Sequence, residues 1–160
     1  MLGAPLYLAI AFGHTDIVRL LIKQNCDIDL HEWFTITPLY VATVCNHIEI
    51  VEILLEHGCD INMRNDENES LLHVASKLGY VDIVKLLLNN NCDINICNKK
   101  RESPLHAASK CMGCVLGVVD KVFKHDGFNF ELLLLLHQRK TKVSYDDYVE
   151  VVKLLLMRNA

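Results

Sequence analysis

The side chains with the most chemistry to offer are thiols and imidazoles. The chain has 160 residues, among them seven cysteines and eight histidines. One close pair, Cys111-Met112-Gly113-Cys114, has the C-x-x-C spacing of a redox dithiol or of half a zinc site. A closed zinc site needs a second pair at ligand spacing, and none follows, so a turn with small packing residues competes with that chemistry. No His-x3-His or His-Glu-x-x-His spacing occurs. A Gly-rich phosphate loop and a serine–histidine pair are missing as well. The sequence therefore predicts no catalytic residue, no metal site, no cofactor and no small-molecule substrate.

The elements that must position these groups are helices. The stretch Ser70 to Asn95 holds two apolar patterns at i, i+3, i+4 spacing, parted by Gly79. The first is Leu71, Leu72, Val74, Ala75, Leu78; the second is Val81, Ile83, Val84, Leu86, Leu87, Leu88. Gly79 takes the positive φ that turns the chain back, and Asn89, Asn90 and Asn91 supply a second left-handed cap. Such a hairpin cannot bury its own apolar face.

Copies of it bury that face. Ala9, Ala42, Ala75 and Ala108 are each 33 residues apart, as are Leu6, Leu39, Leu72 and Leu105. Cys26, Cys59 and Cys92 open a recurrent Cys-Asp-Ile at the same step. A fixed period of this length predicts a stack in which each unit covers its neighbour. Stacked hairpins sit about 8–10 Å apart, beyond the ~7 Å reach of a disulfide. The three equivalent cysteines are therefore expected to be packing residues. An odd cysteine total also argues against a secreted disulfide framework.

The motifs resemble those of the ankyrin-repeat family. Its Thr-Pro-Leu-His-x-Ala signature is matched by Thr37-Pro38-Leu39-Tyr40-Val41-Ala42 and Ser103-Pro104-Leu105-His106-Ala107-Ala108. Ser70-Leu71-Leu72-His73-Val74-Ala75 and Ala4-Pro5-Leu6-Tyr7-Leu8-Ala9 are variants of it. The second-helix signature is similar to Asp16–Leu21, Glu49–Leu55 and Asp82–Leu88. The resemblance implies an all-α solenoid of helix-turn-helix units with period 33, joined by hairpin loops. It also implies that the signature histidines bridge successive loops. Leu54 to Asn62 and Leu87 to Asn95 match the spacing of family members hydroxylated on asparagine, and no more than the spacing is implied.

Some segments depart from the family. Where it places glycine at the hairpin tip, this chain has Thr35, Asn68 and Arg101, of which only Asn68 adopts positive φ with ease. Residue type leaves the finger geometry at Thr35 and Arg101 open. The fourth unit drifts after Lys110, with Val118 to His125 as a degenerate second helix. Tyr148 to Leu156 restores the second-helix motif, with Val149 68 residues after Val81. Five units are expected, at about 4–36, 37–69, 70–102, 103–132 and 133–160. The alternative is four units with an insertion of 68 − 33 = 35 residues.

Composition bounds the function. A formal charge of −4 leaves no basic excess for nucleic acid, and no apolar run reaches the ~18 residues of a membrane span. An intracellular protein is expected, in the cytoplasm first and the nucleus second. Both ends carry apolar residues without the polar cap of a terminal unit, which suggests a fragment of a longer array. The resemblance implies a non-catalytic module that binds another protein through its hairpin tips and concave helix face. The expected contact positions are Trp33, Phe34, Arg64, Asp66, Lys99 and Arg101 on the tips, with Phe12, Cys45, Lys77 and Lys110 on the inner helices. The alternatives are a thiol or zinc function at Cys111 and Cys114, or the targeting segment of a longer enzyme or ubiquitin-ligase adaptor.

Overall fold

The structure, a computed structural model, describes residues 3–28, 36–111 and 143–158. Within them lie eight helices and no strand. These are α1 (Gly3–Ala11), α2 (Thr15–Lys23), α3 (Pro38–Val44), α4 (Ile48–Glu56), α5 (Leu71–Leu78), α6 (Val81–Asn89), α7 (Pro104–Cys111) and α8 (Tyr145–Arg158). They pair as α1 with α2, α3 with α4, α5 with α6 and α7 with α8. First helices form one layer, α1 on α3 on α5 on α7, and second helices form the other, α2 on α4 on α6 on α8. The result is the all-helical solenoid expected from the 33-residue period.

Local chemistry starts each first helix. Thr37 Oγ1 accepts the Tyr40 N–H at 3.1 Å, and Pro38 follows in the first turn, where its missing N–H costs nothing. Ser70 and His73 form a capping box, in which Ser70 Oγ accepts the His73 N–H and His73 Nδ1 accepts the Ser70 N–H at 3.2 Å. The second helices α2, α4 and α6 have no such cap, since His14, His47 and Tyr80 precede them without a side-chain cap bond. At the start of α8, by contrast, Ser144 Oγ accepts the Asp147 N–H at 3.3 Å and Asp147 Oδ2 accepts the Ser144 N–H at 2.6 Å.

Every positive-φ residue described falls at one of three corners of the repeat. Gly13, Asn46 and Gly79 (φ 72°, 55° and 68°) separate the two helices of a unit. Asn25, Gly58 and Asn91 (φ 55°, 87° and 56°) end the second helix. Asn68 and Arg101 (φ 60° and 61°) close the hairpin tip. Asparagine and glycine dominate because they enter the left-handed region at low cost. Arg101 takes the left-handed tip conformation that its residue type left open; Thr35 lies outside the described residues.

The core repeats with the same step. Leu6, Leu39 and Leu72, then Ala9, Ala42, Ala75 and Ala108, are buried along the first-helix layer. Leu54, Leu87 and Leu155 are buried along the second. The small alanines let adjacent first helices approach closely, and the leucines fill the space between layers.

A series of carbonyl contacts fixes the register of α8. His47 Nε2 contacts the Ala11 carbonyl at 3.3 Å, the Tyr80 hydroxyl donates to the Val44 carbonyl at 3.4 Å, and the Tyr148 hydroxyl donates to the Lys77 carbonyl at 3.1 Å. Ala11, Val44 and Lys77 are 33 apart, and so are His47 and Tyr80. Tyr148 repeats the contact 68 residues after Tyr80. The helix Tyr145–Arg158 therefore holds the second-helix place of the unit that α7 begins. The second helix of a fifth unit at 133–160 is expected to lie on a fourth unit's second helix; among the described residues Tyr145–Arg158 lies on α6 and α7. The degenerate helix expected at Val118 to His125 lies outside the described residues.

Candidate functional site

The hairpin tips are built by two asparagines the sequence reading passed over. Asn65 Oδ1 accepts the Glu67 and Glu69 N–H groups at 3.0 and 2.9 Å, and its Nδ2 donates to Glu69 Oε2 at 3.2 Å. Its backbone N–H donates to the Glu69 carbonyl at 3.0 Å. Asn98 repeats the arrangement one unit on: Oδ1 accepts from Lys100 and Glu102 at 2.9 Å each, Nδ2 donates to Glu102 Oε2 at 3.2 Å, and N–H donates to the Glu102 carbonyl at 3.0 Å. These bonds hold the tip shut whatever residue closes it. Arg101 therefore stays left-handed at a cost of about 1–2 kcal/mol over glycine. The signal in the sequence was Asn-x-x-x-Glu recurring at the 33-residue step.

Each tip is also tied to its own inner helix. Lys77 Nζ donates to Glu69 Oε1, and Lys110 Nζ donates to Glu102 Oε1. The Lys110 ammonium, then the Asn98 amide, hold the Glu102 carboxyl below the usual carboxylate range. Lys77 and Lys110, expected as contacts on the concave face, thus serve as braces between tip and helix.

The two described tips are joined to one another. The Lys99 N–H donates to the Glu67 carbonyl at 3.0 Å, and Asn68 Nδ2 donates to the Cys97 carbonyl at 2.7 Å. Below them Asn62 Oδ1 accepts the Asp93 N–H at 3.0 Å. What this leaves facing solvent is a row of charge: Arg64, Asp66 and Glu67 on one tip, Lys99, Lys100 and Arg101 on the next. Acidic and basic groups stand one unit apart on tips held by the Asn65 and Asn98 hydrogen bonds.

Other expected contact residues fare differently. Cys45 is 2% exposed, which removes it from any contact surface; its position faces the preceding unit, and burial pushes its thiol up to about 11. Phe12, at the same position of the first unit, is 55% exposed and stacks on the His14 ring with centroids 6.1 Å apart. Trp33, Phe34 and Cys114, and with Cys114 the C-x-x-C pair, lie outside the described residues. Burial also pushes the Cys92 thiol up to about 11, so Cys45 and Cys92 are protonated at neutral pH and poor nucleophiles. No group of three or more His, Cys, Asp or Glu among the described residues is disposed to hold a metal.

The histidine of the signature does bridge successive loops. His73 is fully buried, and its Nε2–H donates to the Glu102 carbonyl at 2.9 Å. The Tyr7 hydroxyl makes the equivalent bond to the Ile36 carbonyl at 2.8 Å.

A family model of ankyrin repeats in three copies matches residues 3–65 and 58–132. The chain belongs to the ankyrin-repeat family. No curated protein matches it significantly. The second match runs on to residue 132, whereas the helix that stacks on α6 and α7 lies at Tyr145–Arg158. Ankyrin repeats are in general protein-interaction modules, and the family is typically non-catalytic. No helix among the described residues is long and apolar enough to cross a membrane.

Proposed function

We propose that this ankyrin-repeat chain is a non-catalytic scaffold that binds another protein along the edge formed by its hairpin tips. One observation carries the reading: Asp66, Glu67, Lys99, Lys100 and Arg101 face solvent on tips already braced by Asn65, Asn98 and the two lysine–glutamate pairs. A surface that is ordered before binding loses little entropy on binding. Opposite charges one unit apart favour a partner whose own charges alternate at that spacing, and they set its orientation and direction along the edge. Phe12, exposed at the corner between α1 and α2, offers apolar contact apart from the tips. Arg64, its Nη1 3.4 Å from Asn68 Oδ1, belongs to the same surface. An intracellular site of action accords with the unbonded cysteine pattern of the repeats.

The test uses partners captured from cell extract and then purified. Dissociation constants are measured for the parent chain, Asp66→Lys and the double variant Lys99→Glu/Arg101→Glu. Each reversal is expected to weaken binding tenfold or more with an unchanged melting temperature, and binding of the parent is expected to weaken with added salt. Unchanged affinity in both variants would move the binding surface away from the tips.

A further inference from the structure

The charges on the two described hairpin tips are unequal, and the inequality selects a partner. On the basic tip Lys99, Lys100 and Arg101 are exposed, and the finger's own acid is already engaged. Lys110 Nζ donates to Glu102 Oε1, and Asn98 Nδ2 donates to Glu102 Oε2 at 3.2 Å. Among the described residues the three cations have no ion-pair partner. On the acidic tip Glu69, 6% exposed, is held in the same way by Lys77 and Asn65. That tip presents two exposed carboxylates, Asp66 and Glu67, beside Arg64.

Spacing selects the partner's conformation. The Lys99 N–H on the Glu67 carbonyl, at 3.0 Å, sets the two tip backbones one strand spacing apart, roughly 5 Å. An extended peptide repeats its side chains on one face every two residues, about 6.6 Å, so acid and base two positions apart reach neighbouring tips. On a helix the same spacing falls at i and i+4, where acid and base pair with one another instead. A nucleic-acid strand fits poorly, because a charge on every phosphate cannot avoid Asp66 and Glu67.

We infer, resting on the tip binding proposed above, that the partner segment is an extended acidic peptide with a Lys or Arg two residues from its acids. Its Asp or Glu side chains meet Lys99, Lys100 and Arg101, and its base meets Asp66 and Glu67. The acidic part supplies most of the attraction. The base sets which way the segment lies, since turning it round places acid on acid and base on base. Glu69 and Glu102 take no share, because their carboxylates hold the fingers.

Two acetylated, amidated peptides test this, Glu-Ser-Glu-Ser-Lys and Glu-Ser-Glu-Ser-Glu, titrated at low ionic strength against the backbone N–H resonances of the chain. Exposed ion pairs are individually weak, so the expected preference for the first peptide is about threefold. Its shifts are expected at residues 64–69 and 98–102. In Asp66→Lys/Glu67→Lys the preference reverses, and in Lys99→Glu/Arg101→Glu both peptides weaken. These positions are exposed, and circular dichroism confirms the fold of each variant. A parent that prefers the all-acidic peptide, or neither, overturns the inference, as do shifts confined to other residues. So does a five-nucleotide thymidine strand that binds more tightly than the first peptide, which would make the basic tip a phosphate-binding surface. The charge reversals against captured partners keep the two readings apart. Weakened partner binding with no peptide preference overturns the acidic segment and leaves the tip surface standing; unchanged partner binding overturns both.

Discussion

Gly79→Ala is expected to cost about 3 kcal/mol and to release α8 from the stack. Two terms add. Gly79 sits at φ 68°, where a side chain costs about 1–2 kcal/mol. A Cβ there would also stand 2.5 Å from Val143 Cγ1 and 3.1 Å from Tyr148 Cζ, and overpacking of this kind costs about 1–3 kcal/mol. Gly58→Ala is the control. Its φ is 87°, but nothing lies within 4 Å of the added carbon, so only the backbone term remains. Urea unfolding of both variants separates the contributions. Equal losses at the two glycines would mean that Val143 and Tyr148 do not pack on the Gly79 corner. Gly13 is built alike, with His47 Cε1 2.6 Å from its would-be Cβ, so the clash tracks the residue that contacts the carbonyl of the previous unit.

The second large effect is a pH dependence centred on His73. Its Nε2–H donates to the Glu102 carbonyl, and its Nδ1 accepts from both the Ser70 N–H and, at 2.9 Å, the Ser70 hydroxyl. Burial holds the imidazole below its ordinary value of 6.5, and the Glu102 carbonyl bond offsets part of that. A proton on Nδ1 would also turn an acceptor against the Ser70 N–H. The unfolded chain therefore binds this proton more readily than the folded one. The contribution of His73 is complete above about pH 6.5 and is lost as pH falls from there towards the depressed folded value. One proton changes stability by at most about 1.4 kcal/mol per pH unit. Unfolding at pH 7.5 and 5.5 should show this slope in the parent and lose it in His73→Tyr, since Tyr7 and Tyr40 fill the same position in earlier units. His73→Ala should cost about 2–4 kcal/mol at pH 7.5, from the cavity and the lost bridge. A parent with no slope between these pH values would place the imidazole in a solvated setting.

Most of the architecture was legible because it repeats. The 33-residue step of Ala9, Ala42, Ala75 and Ala108 located the first-helix layer, and the left-handed turns at Gly79 and Asn91 lie where residue type places them. What was hidden depends on contacts between units. Arg101 looks unfit for a tip until Asn98 is seen holding the finger from within. Cys45 looks like a groove residue because helical spacing does not distinguish a surface facing solvent from one facing the preceding unit. Lys77 and Lys110 look available until the pairing with Glu69 and Glu102, eight residues back across a turn, is known. The register of α8 was open for a like reason: 68 residues fit both two irregular units and one unit plus 35, and what bears on the choice is contact between units, the packing of α8 on α6 and α7 and the Tyr148–Lys77 bond.

That α7 and α8 are the two halves of one unit underlies the stack and its register among the described residues. Excising residues 112–146 removes 35 residues, and Asp147→Gly then supplies the corner glycine, giving a 160 − 35 = 125-residue chain with Tyr148 in the phase of Tyr80. The measurement is the unfolding free energy of this shortened chain against the parent. A cooperative transition at equal or higher stability is the predicted result. A loss of several kcal/mol, with unit three left open on its trailing face, would contradict it.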